Sequence, residues 1–415
     1  MARISKPIQI DASMLQGYVE ALAANGGQAE GGIVRPVYSA AWVQARGQLA
    51  AWMRESGLDV RVDGVGNLFG RLRGVDDSRT ILTGSHFDTV PLGGKFDGAL
   101  GILAGLVALR TLYAQAGQPR RSLEVVALCE EEGSRFQAHY WGTRGILGLI
   151  QADELERLRD DQDMTISEAM RAIDLSPERY REAVRSDIDA FLELHIEQGR
   201  ILFDEGVSLG IVQAITGLRH QQVTVRGRAD HAGTTPMDLR RDALQGAAQM
   251  AIEITRLVER EGRPAVVTLG KWEVKPGAVN VIPDEVSFSI DLRHPDEEIK
   301  QRLAAAILLR CETIAQERGL AVSSEITSDS LPSNMDATLQ SVLIASAQAC
   351  GASWRAMPSG AGHDSQEMAR RVPTAMLFVP SVEGRSHSNA EYTTPEDAAR
   401  GASVLATALY QLAYL

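Results

Sequence analysis

Three apolar segments constrain the fold of this chain more than any other feature. Thr80–Thr83, Leu123–Leu128 and Thr374–Val379 consist largely of apolar residues, as expected of strands that a sheet buries on both faces. Between the first two, Ala99–Gln115 predicts an apolar helix that begins with small residues. The order strand, helix, strand predicts a right-handed parallel crossover. We therefore expect an α/β fold with a mixed, mostly parallel sheet and helices on both faces.

The middle of the chain has a different pattern, which predicts an inserted ferredoxin-like α+β domain. Because 415 residues are too many for one typical core, two domains are expected. We predict a discontinuous domain of residues 1–212 and 331–415, interrupted by a domain of residues 213–330. In chain order, the strands and helices predicted for the inserted domain are Gln222–Arg226, Leu239–Val258, Ala265–Leu269, Val286–Leu292, Glu297–Gln316 and Leu320–Ile326.

The segment GSHFDTVPLGGKFDGALG contains the first candidate functional residues. His86 and Asp88 follow the apolar run RTILTG, and Asp97 lies in a glycine-rich turn. Imidazole and carboxylate groups are the ligands of hydrolytic metals such as zinc or manganese. Taken alone, a His-x-Asp pair is more often part of an ordinary turn. We expect Asp88 to orient the His86 ring from outside the metal's ligand set.

Three consecutive carboxylates, Glu130-Glu131-Glu132, come directly after the predicted strand Leu123–Leu128. Such a run is commonly a solvated charge cluster. However, ligand sites of α/β proteins form at the carboxyl ends of parallel strands. Adjacent carboxylates there can divide metal binding and proton transfer between them. Together with the preceding segment, the run favours a functional site.

Further candidates lie at the ends of other apolar or small-residue segments. His195 in FLELHIEQG would, taken alone, more often be an ordinary core histidine. His363 in GAGHDS and His387 in GRSHSNAE each follow small residues, and His387 comes shortly after the strand Thr374–Val379. His387 is therefore expected at the same sheet edge as the other candidates.

The inserted domain contributes candidates for substrate binding. His231 lies in the turn-rich segment RADHAGTTPM and is predicted to donate hydrogen bonds rather than to bind metal. Arg293 ends SFSIDLRH, and Asn280 lies in VNVIP. Both residues could simply terminate surface strands. The functional alternative is recognition of a substrate carboxylate, which suits the planar guanidinium.

Composition limits the compartment and the partners. A formal charge of −12 argues against nucleic acid as a general partner, although local cations could still bind a small anion. Cys129, Cys311 and Cys350 have no metal or disulfide spacing, which fits a reducing compartment. The start MARISKPIQIDAS lacks an apolar signal core, and no run approaches the ~18 apolar residues of a membrane span. We expect a cytoplasmic protein without a membrane partner.

Six motifs in order resemble one family of di-metal amidohydrolases. They are GSHFDTV with GGKFDGALG, EEEGSRF, ELHIEQG, HAGTTPM, GAGHD and Ser386-His387. The chain resembles the superfamily of aminoacylases and carboxypeptidase-type exopeptidases, and within it the branch of N-carbamoyl-L-amino acid and allantoate amidohydrolases. His195 is typical of that branch. The resemblance implies a zinc-exopeptidase-like catalytic domain, an inserted dimerisation or lid domain, and a homodimer.

The resemblance also implies roles for individual residues. Two divalent ions per subunit, manganese or zinc with cobalt as a further candidate, would share Asp97 as a bridging ligand. Glu131 would be the general base. The resemblance assigns one metal to His86, Asp97 and His195, the other to Asp97, Glu132 and His387, substrate binding to His231, Asn280 and Arg293, and the cleft lining to Gln198 and His363. His231 would reach the active site of the partner subunit.

The implied reaction is hydrolysis of the ureido group of a small carboxylate substrate, which releases ammonia and carbon dioxide. Glu130, Trp141-Gly142 and the ending LYQLAYL are more similar to allantoate amidohydrolases, which convert allantoate to ureidoglycine. N-carbamoyl-L-amino acid amidohydrolase and β-ureidopropionase are the alternatives. A peptidase or aminoacylase is a further rival. A catalytically silent binding protein fits less well, because every proposed ligand and the base are present.

Overall fold

The computed structural model describes residues 7–415, which divide into two compact units. The first unit extends to Gln213 and also contains Asn334–Met357 and His363–Leu415. The second unit consists of Ala214–Ser333 and the short segment Pro358–Gly362. Residues 1–6, with which the predicted first domain begins, lie outside the described part of the chain.

The described residues form strands and helices that alternate along most of the chain. In chain order the strands are β1 (Asp59–Val62), β2 (Leu68–Leu72), β3 (Asp76–His86), β4 (Arg121–Leu128), β5 (Ile188–Ile196), β6 (Leu209–Ile215), β7 (Gly217–Arg226), β8 (Val266–Thr268), β9 (Trp272–Lys275), β10 (Glu285–His294), β11 (Ala321–Asp329), β12 (Ser333–Asn334), β13 (Trp354–Ser359) and β14 (Thr374–Val379). The α-helices are α1 (Ala12–Ala23), α2 (Ala40–Glu55), α3 (Ala99–Ala116), α4 (Trp141–Ile146), α5 (Glu154–Arg157), α6 (Ile166–Arg171), α7 (Ile201–Glu205), α8 (Ala243–Glu261), α9 (Glu297–Glu317), α10 (Ala337–Ala349), α11 (Asp364–Met368) and α12 (Pro395–Tyr414).

A mixed sheet with a parallel centre forms the core of the first unit. Its strand order is β1-β2-β4-β3-β5-β14-β6-β12, with β13 beside β6. The central pairs β3 with β4, β3 with β5 and β5 with β14 are parallel. Apart from the first four residues of β3, these strands are almost fully buried, because helices such as α3 and α12 pack against the sheet. The predicted fold class and the parallel crossover through α3 are confirmed.

Helix α3 lies unusually close to the sheet because it has glycines where it faces the strands. A Cβ at Gly101 would lie 2.4 Å from the Leu194 carbonyl oxygen and 2.8 Å from the Ser85 Cβ. A Cβ at Gly105 would meet side chains of both neighbouring strands at about 3 Å. Among the described helices, α3 is the one long and apolar enough to cross a membrane, but most of it is buried inside the protein. Its apolar surface is therefore that of a core helix.

The second unit is an antiparallel sheet whose core is closed by two helices. The strand order is β11-β7-β10-β8, with β9 also paired to β10. Helices α8 and α9 contribute their apolar residues to one core with β7 and β10. This is the split β-α-β arrangement of a ferredoxin-like fold, as predicted.

Two details of the second unit differ from the sequence-based expectation. Helix α8 begins at Ala243 rather than at Leu239, because the Asp242 carboxylate accepts hydrogen bonds from the first backbone N–H groups of the helix. Leu239 lies instead in a short 3₁₀ turn. Strand β9 was not predicted, since its four residues are too few to show a clear alternation.

The parallel strands place their carboxyl ends along one edge of the first unit's sheet. In the pairing of β3 with β4, His86 lies opposite Leu128. In the pairing of β5 with β14, His195 lies opposite Phe378. The segments that follow these strands therefore begin close together, at the edge where α/β proteins bind their ligands.

Candidate metal centre

Asp97 lies at the centre of the candidate site. One of its carboxylate oxygens, Oδ1, is 3.1 Å from His195 Nε2 and 3.7 Å from His86 Nε2. The other, Oδ2, is 3.2 Å from His387 Nε2, which is in turn 3.6 Å from a Glu132 oxygen. Asp97 thus faces two different sets of potential ligands, one on each side. A carboxylate in this position can bridge two cations.

These side chains form compact groups of the size that a metal ion requires. In each group one ligand atom per residue lies within 4.8 Å of the others, and the groups include His86 with Asp97 and His195, and Asp97 with Glu132 and His387. A further group joins His86 to Glu131 and Glu132. The structure therefore brings together all five residues that the sequence suggested as ligands, together with the suggested base.

Backbone carbonyl groups fix the orientation of two of these histidines. His86 Nδ1 is 3.2 Å from the Asp88 carbonyl oxygen, and His195 Nδ1 is 2.9 Å from the Ile196 carbonyl oxygen. A proton on each Nδ1 atom completes these hydrogen bonds and leaves each Nε2 atom, which faces Asp97, available to bind a metal. Metal-binding histidines characteristically have such a partner on the other ring nitrogen.

The Asp88 carboxylate has a different contact from the one expected for it. Its oxygens accept hydrogen bonds from Glu131 N and Glu132 N, both at 3.1 Å. Its closest approach to His86 Nδ1 is 3.6 Å, too long for a hydrogen bond. It is the backbone of Asp88 that orients the His86 ring, while the side chain fixes the loop after β4.

The charge balance of the cluster fits a bound cation. Burial, reinforced by the neighbouring Asp97 carboxylate, raises the pKa of Glu132 to about 7. Burial also raises the pKa of Glu131 well above its ordinary value, and the Glu132 carboxylate adds to this effect. Within residues 7–415 the ion pairs of Asp97, Glu131 and Glu132 are with histidines, not with lysine or arginine. Clustered buried carboxylates are costly unless paired or bound to a metal, so a divalent cation matches this donor set.

The same carboxylate also determines the protonation of the histidines. Burial alone would lower the pKa of His195, but its hydrogen bond with Asp97 reverses this effect and raises the pKa. The attraction that favours a proton on this ring would equally favour a metal cation near its Nε2 atom.

Gly98 is required by the close packing of this site. Its φ is 62°, and a Cβ there would lie 2.5 Å from His86 Nε2. The Gly98 amide also points at His195 Nε2, 3.2 Å away. A larger residue would both strain the backbone and displace the His86 ring.

Two further candidates, Gln198 and His363, lie beside the cluster. Gln198 Nε2 donates a hydrogen bond to Asp97 Oδ2 at 3.1 Å and is 3.3 Å from His387 Nε2. The His363 ring packs against His195 with 4.4 Å between centroids. Burial, followed by the repulsion of His195, holds the pKa of His363 well below its ordinary value. A neutral His363 can hydrogen-bond a substrate without adding charge.

The remaining three candidates belong to the second unit. His231 is exposed and pairs with Val281 in a β-bridge, and Ala232 N donates to the Asn280 carbonyl oxygen at 3.0 Å. The His231 and Asn280 loops are therefore joined through their backbones. Arg293 lies on β10 and is partly exposed.

Arg293 is held by partners within its own unit. Its Nε and Nη2 atoms donate to the Asp291 carboxylate at 3.0 and 2.8 Å, and Nη1 donates to the Gly360 carbonyl oxygen at 2.8 Å. His220 Nε2 lies 3.3 Å from the same Asp291 carboxylate. The guanidinium group is thus fixed in orientation rather than freely mobile.

Sequence reasoning missed Glu193 and Glu391, two buried acidic residues around the cluster, and noted Asp364 only as the neighbour of His363. Glu193 is fully buried and accepts hydrogen bonds from the Ser85 and Ser365 hydroxyls, both at 2.6 Å. Asp364 accepts from the Thr143 hydroxyl at 2.6 Å, and burial together with Glu193 raises its pKa to about 8. Glu391, in the segment SHSNAEY, is 4% exposed. Each lies within a few residues of a candidate histidine, which is the only signal the sequence offered.

Histidines and carboxylates around a shared carboxylate, at the edge of a parallel sheet, are characteristic of metal-dependent hydrolases. Residues 82–411 match the peptidase family M20/M25/M40, and the chain belongs to this family. The resemblance to its amidohydrolase branch is confirmed by the relatives.

Curated relatives and solved structures match nearly the whole chain. Allantoate amidohydrolase of Escherichia coli (strain K12) is 40% identical over 95% of this chain and 96% of its own. N-carbamoyl-L-amino acid amidohydrolase of Geobacillus stearothermophilus is 40% identical over 94% of this chain and 95% of its own. The crystal structure of a hydantoinase/carbamoylase family amidase from Burkholderia ambifaria superimposes with a TM-score of 0.91 at 35% identity, covering 97% of this chain and 96% of that one.

We predict that Asp97→Asn removes metal binding on both sides of the cluster, because both ligand groups contain this carboxylate. His387→Ala should affect the group with Glu132 alone and leave one ion bound. The exposed His139, which belongs to neither group, gives the matched control His139→Ala. Elemental analysis of dialysed, manganese-loaded protein measures the stoichiometry. Two retained ions in Asp97→Asn would show that this carboxylate is not shared.

Proposed function

We propose that this protein hydrolyses the ureido group of a small carboxylate substrate and releases ammonia and carbon dioxide. The observation that carries the proposal is the position of Asp97 between two groups of histidine and carboxylate ligands. The relatives named above, amidohydrolases of allantoate and of N-carbamoyl-L-amino acids, support the choice of a ureido carbon–nitrogen bond.

In this proposal His86, Asp97 and His195 hold one divalent ion, and Asp97, Glu132 and His387 hold the other. Manganese or zinc, with cobalt as a further candidate, suits these ligands. The ions would lower the pKa of a water molecule and polarise the ureido carbonyl group. The remaining steps belong to residues of the chain itself.

Glu131 is proposed as the general base. Its carboxylate lies 3.9 Å from His86 Nε2, at the inner side of the cluster, and its backbone N–H is fixed by Asp88. Burial raises its affinity for a proton, which suits a group that accepts a proton from water. The same proton would then pass to the departing amide nitrogen, so that ammonia leaves. The carbamate that remains loses carbon dioxide and yields the amine.

Residues of the second unit are proposed to bind the substrate. Arg293 would pair with the substrate carboxylate, because its orientation is fixed by Asp291 and Gly360. Asn280 would donate or accept hydrogen bonds beside it. Gln198 and His363, which belong to the first unit, would line the substrate-binding cleft. His231 would stabilise the oxyanion of the transition state, a role that contributes about 3–4 kcal/mol in other enzymes.

We further propose a homodimer in which the second unit supplies His231 to the active site of the partner subunit. The exposure of His231 and of the neighbouring Asn280 supports this arrangement. In this assignment the first unit is the catalytic domain, and the second unit serves dimerisation or acts as a lid. A cytoplasmic location is proposed with it, supported by the three free cysteines.

Allantoate is the proposed substrate, with ureidoglycine as the organic product. The E. coli relative named above supports it, and the Geobacillus relative of equal identity supports an N-carbamoyl-L-amino acid as the alternative. β-Ureidopropionate is a further alternative. One of the sequence features that favoured allantoate has a structural role. Trp141 is buried, and its indole N–H donates a hydrogen bond to the Tyr38 hydroxyl.

We expect the manganese-loaded protein to release ammonia fastest from allantoate in a panel with N-carbamoyl-L-amino acids and N-carbamoyl-β-alanine. Glu131→Gln should abolish turnover while the protein still binds two ions, because the amide cannot accept the proton. Metal analysis beside the ammonia assay separates these effects. Ammonia release from none of the panel, or amine release from acyl amino acids instead, would refute ureido hydrolysis.

Arg293→Ala should raise the KM of the anionic substrate with a smaller effect on kcat. A charged hydrogen-bond pair contributes about 1.5–3 kcal/mol, which corresponds to roughly a 10- to 150-fold change in affinity. Arg226→Ala, which removes an exposed arginine from the same sheet, is the control. Steady-state kinetics measure both constants. An unchanged KM in Arg293→Ala would exclude the anchoring role.

Mixing subunits tests whether His231 acts across a dimer. His231→Ala and Glu131→Ala are each expected to be inactive alone. After mixing and exchange of subunits, up to about a quarter of wild-type activity should return, since one of the two sites of each hybrid is intact. No recovery, although subunit exchange is demonstrated by differently tagged chains, would place His231 and Glu131 in the same site of one chain.

A further inference from the structure

Glu391 connects two segments of the candidate metal centre that are far apart in the sequence. Its Oε1 atom accepts hydrogen bonds from Phe96 N at 2.9 Å and from Asp97 N at 3.0 Å. Its Oε2 atom accepts from the Ser386 hydroxyl at 3.0 Å. One buried carboxylate therefore holds the backbone of Asp97 and the residue immediately before His387.

The space around this carboxylate is closely fitted to it. A Cβ at Gly94 would lie 2.1 Å from the Glu391 carboxyl group, so the glycine backbone packs directly against it. The rings of the neighbouring Tyr392 and of Phe96 form a T-shaped pair, with 5.9 Å between centroids. The segment with Asp97 and the segment with His387 are thus joined by packing as well as by hydrogen bonds.

His387 needs such support more than the other candidate ligands do. Its side chain is 49% exposed, whereas those of His86 and His195 are 2% and 1% exposed. Its backbone has φ of 53°, a left-handed conformation that is unfavourable for most residues other than glycine. Packing alone therefore does not fix the His387 ring, and the Ser386 bond to Glu391 restrains the backbone next to it.

We propose that Glu391 is a positioning residue that sets the distance between Asp97 and His387, and so determines the affinity of the metal ion held by Asp97, Glu132 and His387. This inference rests on the ligand sets of the proposed function. Asp97 belongs to both ligand groups, so the contact that distinguishes the two ions is the one with Ser386, which holds the neighbour of His387 and has no counterpart at His86 or His195. A merely structural role would instead lower the stability without distinguishing between the two ions.

The experiment measures binding of the metal itself. Protein stripped with a chelator is titrated with Co²⁺, and the stoichiometry, the two affinities and the visible absorption of the bound ions are recorded. Glu391→Ala is expected to keep one tightly bound ion and to bind the second at least ~10-fold more weakly, the usual effect of removing a partner of a metal ligand. At one equivalent of Co²⁺, the visible spectrum of Glu391→Ala should show the absorption of the tightly bound ion without that of the weaker one.

Two milder variants keep the test decisive if Glu391→Ala does not fold. Glu391→Gln retains one carbonyl oxygen for the Phe96 and Asp97 amides and should weaken the second ion less than the alanine variant. Ser386→Ala removes the bond to Glu391 on the His387 side, together with a longer hydrogen bond of 3.4 Å from the Ser386 hydroxyl to Asp97 Oδ2, and should weaken the same ion. If both bind two ions with wild-type affinities, the proposal is wrong.

Glu154 provides a matched control for the loss of a buried carboxylate. It is 8% exposed, accepts a hydrogen bond from Gln151 N at 2.8 Å and pairs with Arg144, but it contacts none of the candidate ligands. Glu154→Ala should lower the Tm and leave both metal affinities unchanged. Equal weakening of both ions in Glu391→Ala and Glu154→Ala would reduce Glu391 to a general stabilising role. A wild-type protein that binds fewer than two ions would contradict the ligand sets of the proposed function instead.

Discussion

The parallel pairing of β3, β4, β5 and β14 is the constraint on which the candidate site depends. Since all four strands run in the same direction, their carboxyl ends meet at one edge, and each contributes a segment with chemically active side chains. The pairing requires continuous apolar strands, and these are what the sequence provides. The histidines and carboxylates are therefore brought together by the burial of residues that take no part in the chemistry.

Many carboxylates lie at this buried edge of the sheet. Hydrogen bonds from backbone N–H groups compensate part of their negative charge. Asp88 accepts from two amides after β4, and Glu391 accepts from two amides before α3. Each of these carboxylates gains the hydrogen bonds that burial would otherwise deny it. The same bonds fix the loops that contain Glu131, Glu132 and Asp97. Compensation of charge and positioning of the site are thus achieved by the same contacts.

The parts that could be predicted from the sequence are those with a strong local signal. Buried strands and helix α3 show continuous apolar residues, and the proposed ligands lie in short motifs at the ends of these strands or in the loops that follow them. The start of α8 was predicted four residues early, because the apolar Leu239 extends the helical pattern beyond the Asp242 cap. The roles of Glu193 and Glu391 could not be predicted, since the serine partners of Glu193 and the backbone amides that Glu391 binds are more than 100 residues away in the sequence. Long-range hydrogen bonds leave no periodic trace in a sequence.

The close contact of Gly101 with the sheet has a consequence for how this protein tolerates mutation. The residue lies between Ser85 and Leu194, and each of these precedes a candidate ligand, His86 and His195. A single added methyl group would push apart the two strands that carry these histidines, or tilt the helix that begins beside Asp97. A mutational scan read out by activity would therefore rank Gly101 among the residues of the candidate metal centre. Yet it has no side chain with which to take part in catalysis.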